Sequence, residues 1–147
     1  LFRAIIVPFS ADTLPMLEML LEVCDSSMTY RSRYFTVMQP APVLDLLMND
    51  PVNPRSLAFQ IADLSGHCNI LEQSLHGAEW PAAKQKRVEE AAAALFEADV
   101  QMLCQPGPDG NRGWLDSLLA TLEVVLPAFS DSITNTWFSH AEMERPT

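Results

Sequence analysis

The stretch "LAFQIADLSGHCNILEQSL", residues 57–75, decides the fold class of this chain. Its apolar residues recur every three or four positions, which is the period of an α-helix. One stripe consists of Leu57, Ile61, Leu64, Cys68, Leu71 and Leu75, and an opposite stripe consists of Phe59, Ala62, Gly66 and Ile70. A helix with two apolar faces is expected to lie at the centre of a bundle, or to meet another chain with one face.

The same period extends along most of the chain, and strand-like alternation is nearly absent. It predicts an all-α bundle of about five main helices, with a short further helix in "PAPVLDLLMND", residues 40–50. The main helices are predicted at residues 1–7, about 13–37, about 54–75, about 81–104 and about 114–140. Asn53 is expected to cap the third of these, with Pro54 at its first position. Pro127 predicts a kink or break in the last helix, because proline lacks an N–H and clashes with the preceding turn.

Composition predicts a single globular domain over residues 1–147. Hydrophobic residues make up 48% of the chain and charged residues 19%, which excludes disorder. No apolar run reaches the roughly 20 residues that cross a bilayer, so no membrane association is expected. A net charge of -10 opposes binding to nucleic acid phosphates. The three cysteines are odd in number and far apart, which favours reduced thiols and a cytoplasmic location.

No cofactor or metal site is predicted. His67 and His76 are nine positions apart and would point to opposite sides of one helix. The sequence contains no Cys-x-x-Cys or His-Glu-x-x-His spacing. The glycine-rich "GPDGNRG", residues 107–113, has no preceding strand and no Gly-Lys-Ser/Thr ending, so a plain turn is the better interpretation.

The segment "DSSMTYRSRYF", residues 25–35, carries the main functional hypothesis. On a wheel drawn for residues 13–37, Arg31 falls near the middle of the apolar arc. Asp99 and His140 fall on the apolar stripes of two other predicted helices. Because an unpaired buried charge is costly, Arg31 is expected to pair with Asp99, with Tyr30 or His140 completing the hydrogen bonding. Such a cluster would more often fix helix packing than carry chemistry.

Three stretches resemble the Alpha-E domain family, a predicted all-helical domain named for a Glu-Arg motif. They are "LLEVCDSSMTYRSRYF" (residues 20–35), "PAPVLDLLMNDPVNPRSLAFQIADL" (residues 40–64) and "WFSHAE" (residues 137–142). The one Glu-Arg pair here is Glu144-Arg145, outside the expected context. The chain therefore resembles the C-terminal half of such a domain. The resemblance implies association with ATP-grasp and transglutaminase-like proteins in peptide ligation or tagging.

These observations predict a non-catalytic accessory or protein-interaction domain. Its partners are expected to be a second copy of the chain, an N-terminal half of the domain, or an ATP-grasp-type protein. The alternative is an enzyme subunit in which Tyr30, Arg31, Asp99 and His140 line a cleft. That cleft would bind a carboxylate or phosphate during amide-bond formation.

Overall fold

A computed structural model gives the structure of residues 2–8, 13–34, 37–74 and 79–138. Within these ranges the regular structure is helical, apart from an isolated bridge between Pro8 and Asn111. The α-helices are α1 (Phe2–Ile6), α2 (Thr13–Val23), α3 (Ser27–Arg33), α4 (Pro40–Leu44), α5 (Leu57–Ser74), α6 (Ala82–Glu97), α7 (Val100–Leu103) and α8 (Gly113–Phe138). A π-helix, Asp45–Asn49, continues α4. The all-α prediction is confirmed, and there are more helices than expected because two predicted helices are each divided.

The first division separates α2 from α3 at Asp25, whose φ of 48° lies in the left-handed region. The Ser26 N–H donates to the Leu21 carbonyl at 2.8 Å, and the Asp25 N–H donates to the Glu22 carbonyl at 3.0 Å. These two bonds form a Schellman motif, which ends a helix. Glycine is usual at this position, and aspartate is one of the few other residues that tolerate it. The prediction of one helix over residues 13–37 is therefore wrong.

The centre of the bundle is the segment formed by α4 and the π-helix. Its buried apolar residues are Val43, Leu44, Leu46, Leu47 and Met48, none more than 2% exposed. Consecutive helical residues diverge by about 100°, so these side chains spread over roughly 200° of the helix circumference. α2, α5 and α7 pack against this wide apolar face, which makes the segment the core of the fold.

α5 is less central than the sequence predicted. Over its described members, from Leu57 to Leu71, the first stripe is buried or half-buried, with Ile61 and Cys68 buried. In the second stripe Phe59 is half-buried, Ala62 and Gly66 are exposed, and Ile70 is 64% exposed. The expectation of a central helix is therefore wrong, and the alternative, that this face meets another chain, stays a prediction.

The N-cap of α5 is Ser56 and not Asn53. The Ser56 hydroxyl accepts the Phe59 N–H at 3.0 Å and donates to the Asp50 carbonyl at 2.5 Å. The Asn53 side chain accepts the Arg55 N–H at 3.1 Å and donates to the Leu46 carbonyl at 3.0 Å. Asn53 therefore holds the loop before α5 against the π-helix, while Pro54 lies in a turn ahead of the helix.

The second division lies between α6 and α7. α6 ends at Glu97, and Asp99 has extended backbone with a ψ of 116°. The Asp99 carboxylate accepts the Gln101 N–H at 2.8 Å and so caps α7. The predicted continuous helix to Cys104 is wrong, because this aspartate begins a new helix instead of continuing the old one.

α8 is the longest helix described, and it packs most extensively against α6. It continues through Pro127 without interruption, so the predicted break does not occur there, and the predicted kink stays a prediction. Over Gly113–Thr136 it is long and apolar enough by composition to cross a membrane, and 28% of its most apolar stretch is buried. The buried stripe comprises Leu115, Leu119, Leu122, Val125 and Phe129. The rest of its apolar surface is available to form a binding site.

Candidate functional site

A groove of about 490 Å³ runs between α8 and the start of α5, and we call it the α8 groove. α8 contributes Leu119, Leu122, Glu123, Leu126 and Pro127; Arg3, Cys24, Leu47, Arg55 and Leu57 come from other segments. The apolar members come from α8, the first residue of α5, the π-helix and the residue after α2. The sequence predicted the apolar stripes of α5 and α8 as core, but here an open space remains between α8 and Leu57.

A second hollow of about 430 Å³ extends this groove along α8, and we call it the distal hollow. Leu126 and Pro127 line both spaces, so the two adjoin. The remaining lining residues are Leu64, Phe129, Ser130, Ile133 and Thr134. Lining from Leu119 to Ile133 covers about four turns, or roughly 21 Å of α8. The combined surface is therefore elongated and mostly apolar.

Arg3 lines the groove and forms ion pairs with two carboxylates of α8. Its Nε and Nη2 donate to the two carboxylate oxygens of Asp116, at 2.5 and 3.1 Å. Its Nη1 donates to Glu123 Oε2 at 2.7 Å. These bonds raise the pKa of the Arg3 guanidinium and lower the pKa of the Asp116 carboxyl. The network fastens α1 to α8, and the single positive charge of Arg3 is shared between the carboxylates of Asp116 and Glu123.

Arg55 is held more loosely than Arg3. Its side chain is 57% exposed and donates through Nη2 to Asp25 Oδ2 at 3.0 Å. Asp25 is itself 81% exposed. An exposed ion pair of this kind is worth about 0–1 kcal/mol, because water and salt screen it. Arg55 therefore remains available to another carboxylate.

Cys24 places a half-buried thiol in the groove wall. Burial raises the pKa of this thiol, which keeps it protonated at neutral pH. Cys24 is therefore a neutral lining group at neutral pH.

The structure does not assemble the predicted polar cluster. Arg31 is exposed on α3, and Asp99 is exposed at the start of α7. Neither an ion pair nor a hydrogen bond joins these two described residues. The predicted pairing is wrong because both wheels were drawn across breaks in the helices. His140 lies outside the described residues, so its predicted position stays untested.

Tyr30 is buried, at 2% exposure, but it does not complete the hydrogen bonding of an Arg31–Asp99 pair as predicted. Its ring lies 5.0 Å from that of Tyr34, and its hydroxyl makes no hydrogen bond among the described residues. The Tyr34 hydroxyl instead donates to Asp45 Oδ2 at 3.0 Å. Burial and then this hydrogen bond raise the pKa of Tyr34 to about 12. None of the cavities described along α8 is lined by Tyr30, Arg31 or Asp99.

Sequence reasoning missed the two arginines of the groove. Arg3 lies in a short helix and Arg55 in a proline-rich loop, so helical periodicity says nothing about what they face. The sequence did place Leu57 and Leu126 on apolar stripes. The structure leaves both residues half-buried, at the wall of the groove. Among the described residues, no group of three or more His, Cys, Asp or Glu side chains is placed to hold a metal ion.

The chain is similar to a known protein family and to several known proteins. A family model described as "Alpha-E: a predicted alpha-helical domain with a conserved ER motif" matches residues 3–138. Uncharacterized proteins of Mycobacterium bovis and of two Mycobacterium tuberculosis strains are 30% identical to the chain over 121 residues. The match covers 82% of this chain but 13% of each relative. No solved structure gives a significant match.

Proposed function

Because the chain belongs to the Alpha-E family of predicted alpha-helical domains, we propose that it is a non-catalytic protein-interaction domain. In this proposal the α8 groove binds an apolar helical segment of a partner protein. The observation that carries the proposal is the groove itself, whose lining leucines come from the π-helix, α5 and α8 and enclose an open space of about 490 Å³.

The shape of the site favours a helix as its occupant. The α8 groove and the distal hollow adjoin at Leu126 and Pro127, so together they follow α8 for about four turns. An amphipathic helix lays side chains spaced by three, four and seven residues into a groove of this kind. A partner helix of similar length would cover Leu126 and Ile133 from solvent.

The partner we propose is an ATP-grasp-type protein of a peptide ligation or tagging system. The likeness of residues 20–35 and 40–64 to the family supports this choice. The chain spans about an eighth of the length of the curated relatives it matches. In those proteins the matching region therefore lies beside long stretches of other sequence. A reducing, cytoplasmic location is part of the proposal and fits the three free thiols.

A selection from displayed amphipathic helices of about four turns tests the groove. Wild-type protein should enrich helices with one apolar stripe, and Leu126→Gln should lose that enrichment, because Leu126 lines both parts of the site. Val124→Gln is the matched control, since Val124 lies two residues away on α8, is 66% exposed and lines neither space. Circular dichroism establishes that both variants fold.

A second copy of the chain is the competing occupant of the groove. Light scattering coupled to size exclusion distinguishes the two cases. A wild-type dimer that Leu126→Gln converts to a monomer would show that the groove is a self-association surface. Equal enrichment of apolar helices by wild type and Leu126→Gln would remove the groove from the binding function altogether.

A further inference from the structure

We propose that two copies of the chain associate through α2 and α3, with the exposed face of α2 in one copy packed against α3 of the other. In this dimer Arg31 of each copy pairs with Glu18 and Glu22 of the partner subunit. None of these residues lines the α8 groove or the distal hollow. The inference therefore goes beyond the proposed function and does not depend on it.

The first argument is that α2 has an exposed apolar side, which we call its outer face. The inner side of the helix is buried through Leu17, Leu20 and Leu21. The outer face carries four exposed apolar residues, Leu14, Pro15, Met19 and Val23. At about 100° per residue these positions fall within one half of the helix circumference. Several apolar side chains together on one exposed face indicate a docking surface, whereas single ones do not.

The second argument is the charge of the outer face. Glu18 and Glu22 are exposed there, one turn apart, and neither carboxylate forms an ion pair or a hydrogen bond among the described residues. α2 contains no basic residue. Like charges at this spacing slightly destabilise a helix, so a cation placed between them is favoured. The outer face therefore calls for a partner that is apolar and basic.

The third argument is that α3 has the complementary groups. Met28 is 77% exposed, and Arg31, three residues later on the same side of the helix, is also exposed. The Arg31 guanidinium forms no ion pair or hydrogen bond among the described residues. In contrast, Arg33 of the same helix donates to the carboxylate of Asp50. α3 thus presents an unpaired cation beside an exposed methionine, which is the chemistry that the outer face requires.

A second copy of the chain supplies both halves of this contact at once. α2 and α3 follow each other in sequence and pack together. A two-fold axis near the turn at Asp25 would set each α3 against α2 of the partner subunit, so every contact would occur twice. Arg87 on α6 is also exposed and without an ion pair among the described residues, but the exposed apolar residues of α6 are all alanines. α3 is therefore the better match for the outer face.

The size of the surface predicts a weak dimer. α2 is about 16 Å long, which places the contact at the lower end of the size range of protein interfaces. Each copy also carries a net charge of -10, so the two copies repel each other overall. A Kd on the order of 100 μM is expected.

Sedimentation equilibrium at concentrations below and above this Kd tests the proposal. Wild-type protein should show a monomer–dimer equilibrium. Arg31→Glu should raise the Kd about tenfold, because two-fold symmetry doubles the loss of each exposed ion pair. Arg87→Glu is the matched control, since it changes the net charge equally at an exposed arginine of α6 and should leave the Kd unchanged.

Reversing the charge of the outer face separates the local contact from overall repulsion. The double variant Glu18→Lys/Glu22→Lys lowers the negative charge of the chain, so overall repulsion alone would strengthen the dimer. We expect a weaker dimer, because two lysines then face Arg31. Glu72→Lys/Glu97→Lys is the control, with the same charge change at exposed residues of α5 and α6.

Mixing the two kinds of variant gives the most specific test. Neither Arg31→Glu nor Glu18→Lys/Glu22→Lys should associate with itself, but an equimolar mixture of the two should form a heterodimer. In that heterodimer carboxylates of one copy meet cations of the other at both contacts. Met19→Gln should weaken the wild-type dimer through its apolar half, whereas Val124→Gln on α8 should not. Circular dichroism establishes that each variant folds.

Four outcomes would overturn the inference. They are a wild-type chain that stays monomeric at the highest concentration, equal effects of Arg31→Glu and Arg87→Glu, a mixture of the reversed variants that stays monomeric, and a dimer that Leu126→Gln abolishes. The last result would assign self-association to the α8 groove. Binding of apolar helices to that groove is measured separately, so each of these results leaves the proposed function to be judged by its own selection.

Discussion

Arg112 is the most deeply buried charged residue in the described part of the chain, with 1% of its surface exposed. Its Nη1 donates to the carbonyls of Ile6 at 2.6 Å and Pro8 at 3.1 Å, and its Nε donates to the Cys104 carbonyl at 3.0 Å. These carbonyls lie at the ends of α1 and α7, where helices leave acceptors unpaired. Burial lowers the pKa of Arg112, and the carbonyls compensate for the water it has lost.

Arg112→Lys should lower the free energy of unfolding by roughly 2–4 kcal/mol, because a single ammonium cannot reach all three carbonyls as the planar guanidinium does. Urea denaturation monitored by circular dichroism measures the change. Arg31→Lys is the control and should stay within about 0.5 kcal/mol of wild type, since Arg31 is exposed. Equal small effects for the two variants would contradict the structural role of Arg112.

Asp25 has a backbone conformation that favours glycine. A substitution there is therefore predicted to stabilise the protein, whereas Arg112→Lys is predicted to destabilise it. Asp25→Gly should raise the free energy of unfolding by about 0.5–1 kcal/mol, because glycine adopts a φ of 48° without steric cost. Glu18→Gly, at an exposed position within α2, should lower it by about 1 kcal/mol. Thermal unfolding of both variants provides the comparison, and a loss of stability in Asp25→Gly would contradict the account of this helix end.

Helical periodicity placed Arg31 in the core, but Arg31 is exposed and Arg112 is the buried arginine among the described residues. Arg31 was placed in the core by a wheel that assumed one helix through Asp25, and the break there turns it outward. Arg112 lies in a turn-rich connector, where no periodicity indicates which side faces inward. Two of its partners, the backbone carbonyls of Ile6 and Pro8, lie more than 100 positions earlier in the sequence. Residue types alone could not have predicted these contacts.

At the scale of single elements, the loop before α5 depends on Ser56. Ser56 is fully buried and makes hydrogen bonds both as acceptor and as donor. Ser56→Ala should lower the free energy of unfolding by roughly 1–3 kcal/mol, since it removes the N-cap and leaves the buried Asp50 carbonyl short of a donor. Chemical denaturation measures this change.

Ser117→Ala is the control for that measurement. Ser117 is exposed on α8, and its hydroxyl donates to the Gly113 carbonyl one turn earlier. Because serine bonded back to its own helix adds little stability, this variant should stay within about 0.5 kcal/mol of wild type. A Ser56→Ala protein as stable as Ser117→Ala would argue against the capping role.

Helix type was predictable from sequence, but helix boundaries were only partly so. The start of α8 at Gly113 lies within one residue of the predicted start, because a turn-rich connector precedes a long apolar period. The ends of α2 and α6 were missed, since apolar residues continue past both breaks and no glycine or proline marks them. The π-helix was also not predicted, because its three consecutive buried residues are equally compatible with an α-helix.

At the scale of the whole molecule, Arg3 and Asp116 connect α1 to α8 and make the stability of the bundle depend on pH. Hydrogen bonds from Arg3 lower the pKa of Asp116 in the folded protein. The contribution of this pair is therefore present above the ordinary aspartate pKa, near 4, and is lost as the pH falls through the lower folded value.

Asp116→Asn should accordingly melt at a lower temperature than wild type at neutral pH, and the difference should vanish in strong acid. Thermal melts across the acidic range measure it. Asp131→Asn is the control on the same helix, since exposed Asp131 belongs to no ion pair among the described residues. A difference between Asp116→Asn and wild type that stayed constant with pH would contradict the predicted linkage.

The hydrogen bonds from Arg112 to the end of α1 affect the order in which parts of the chain fold. Ile6 and Arg112 are 106 positions apart, and closing so long a loop costs entropy that only later contacts recover. α1 packs on α2, its neighbour in sequence, so that contact can form early. The bonds that Arg112 makes to the end of α1 are expected to form late, because the ribosome makes α1 well before the connector; until residue 112 emerges, the Ile6 and Pro8 carbonyls lack these donors.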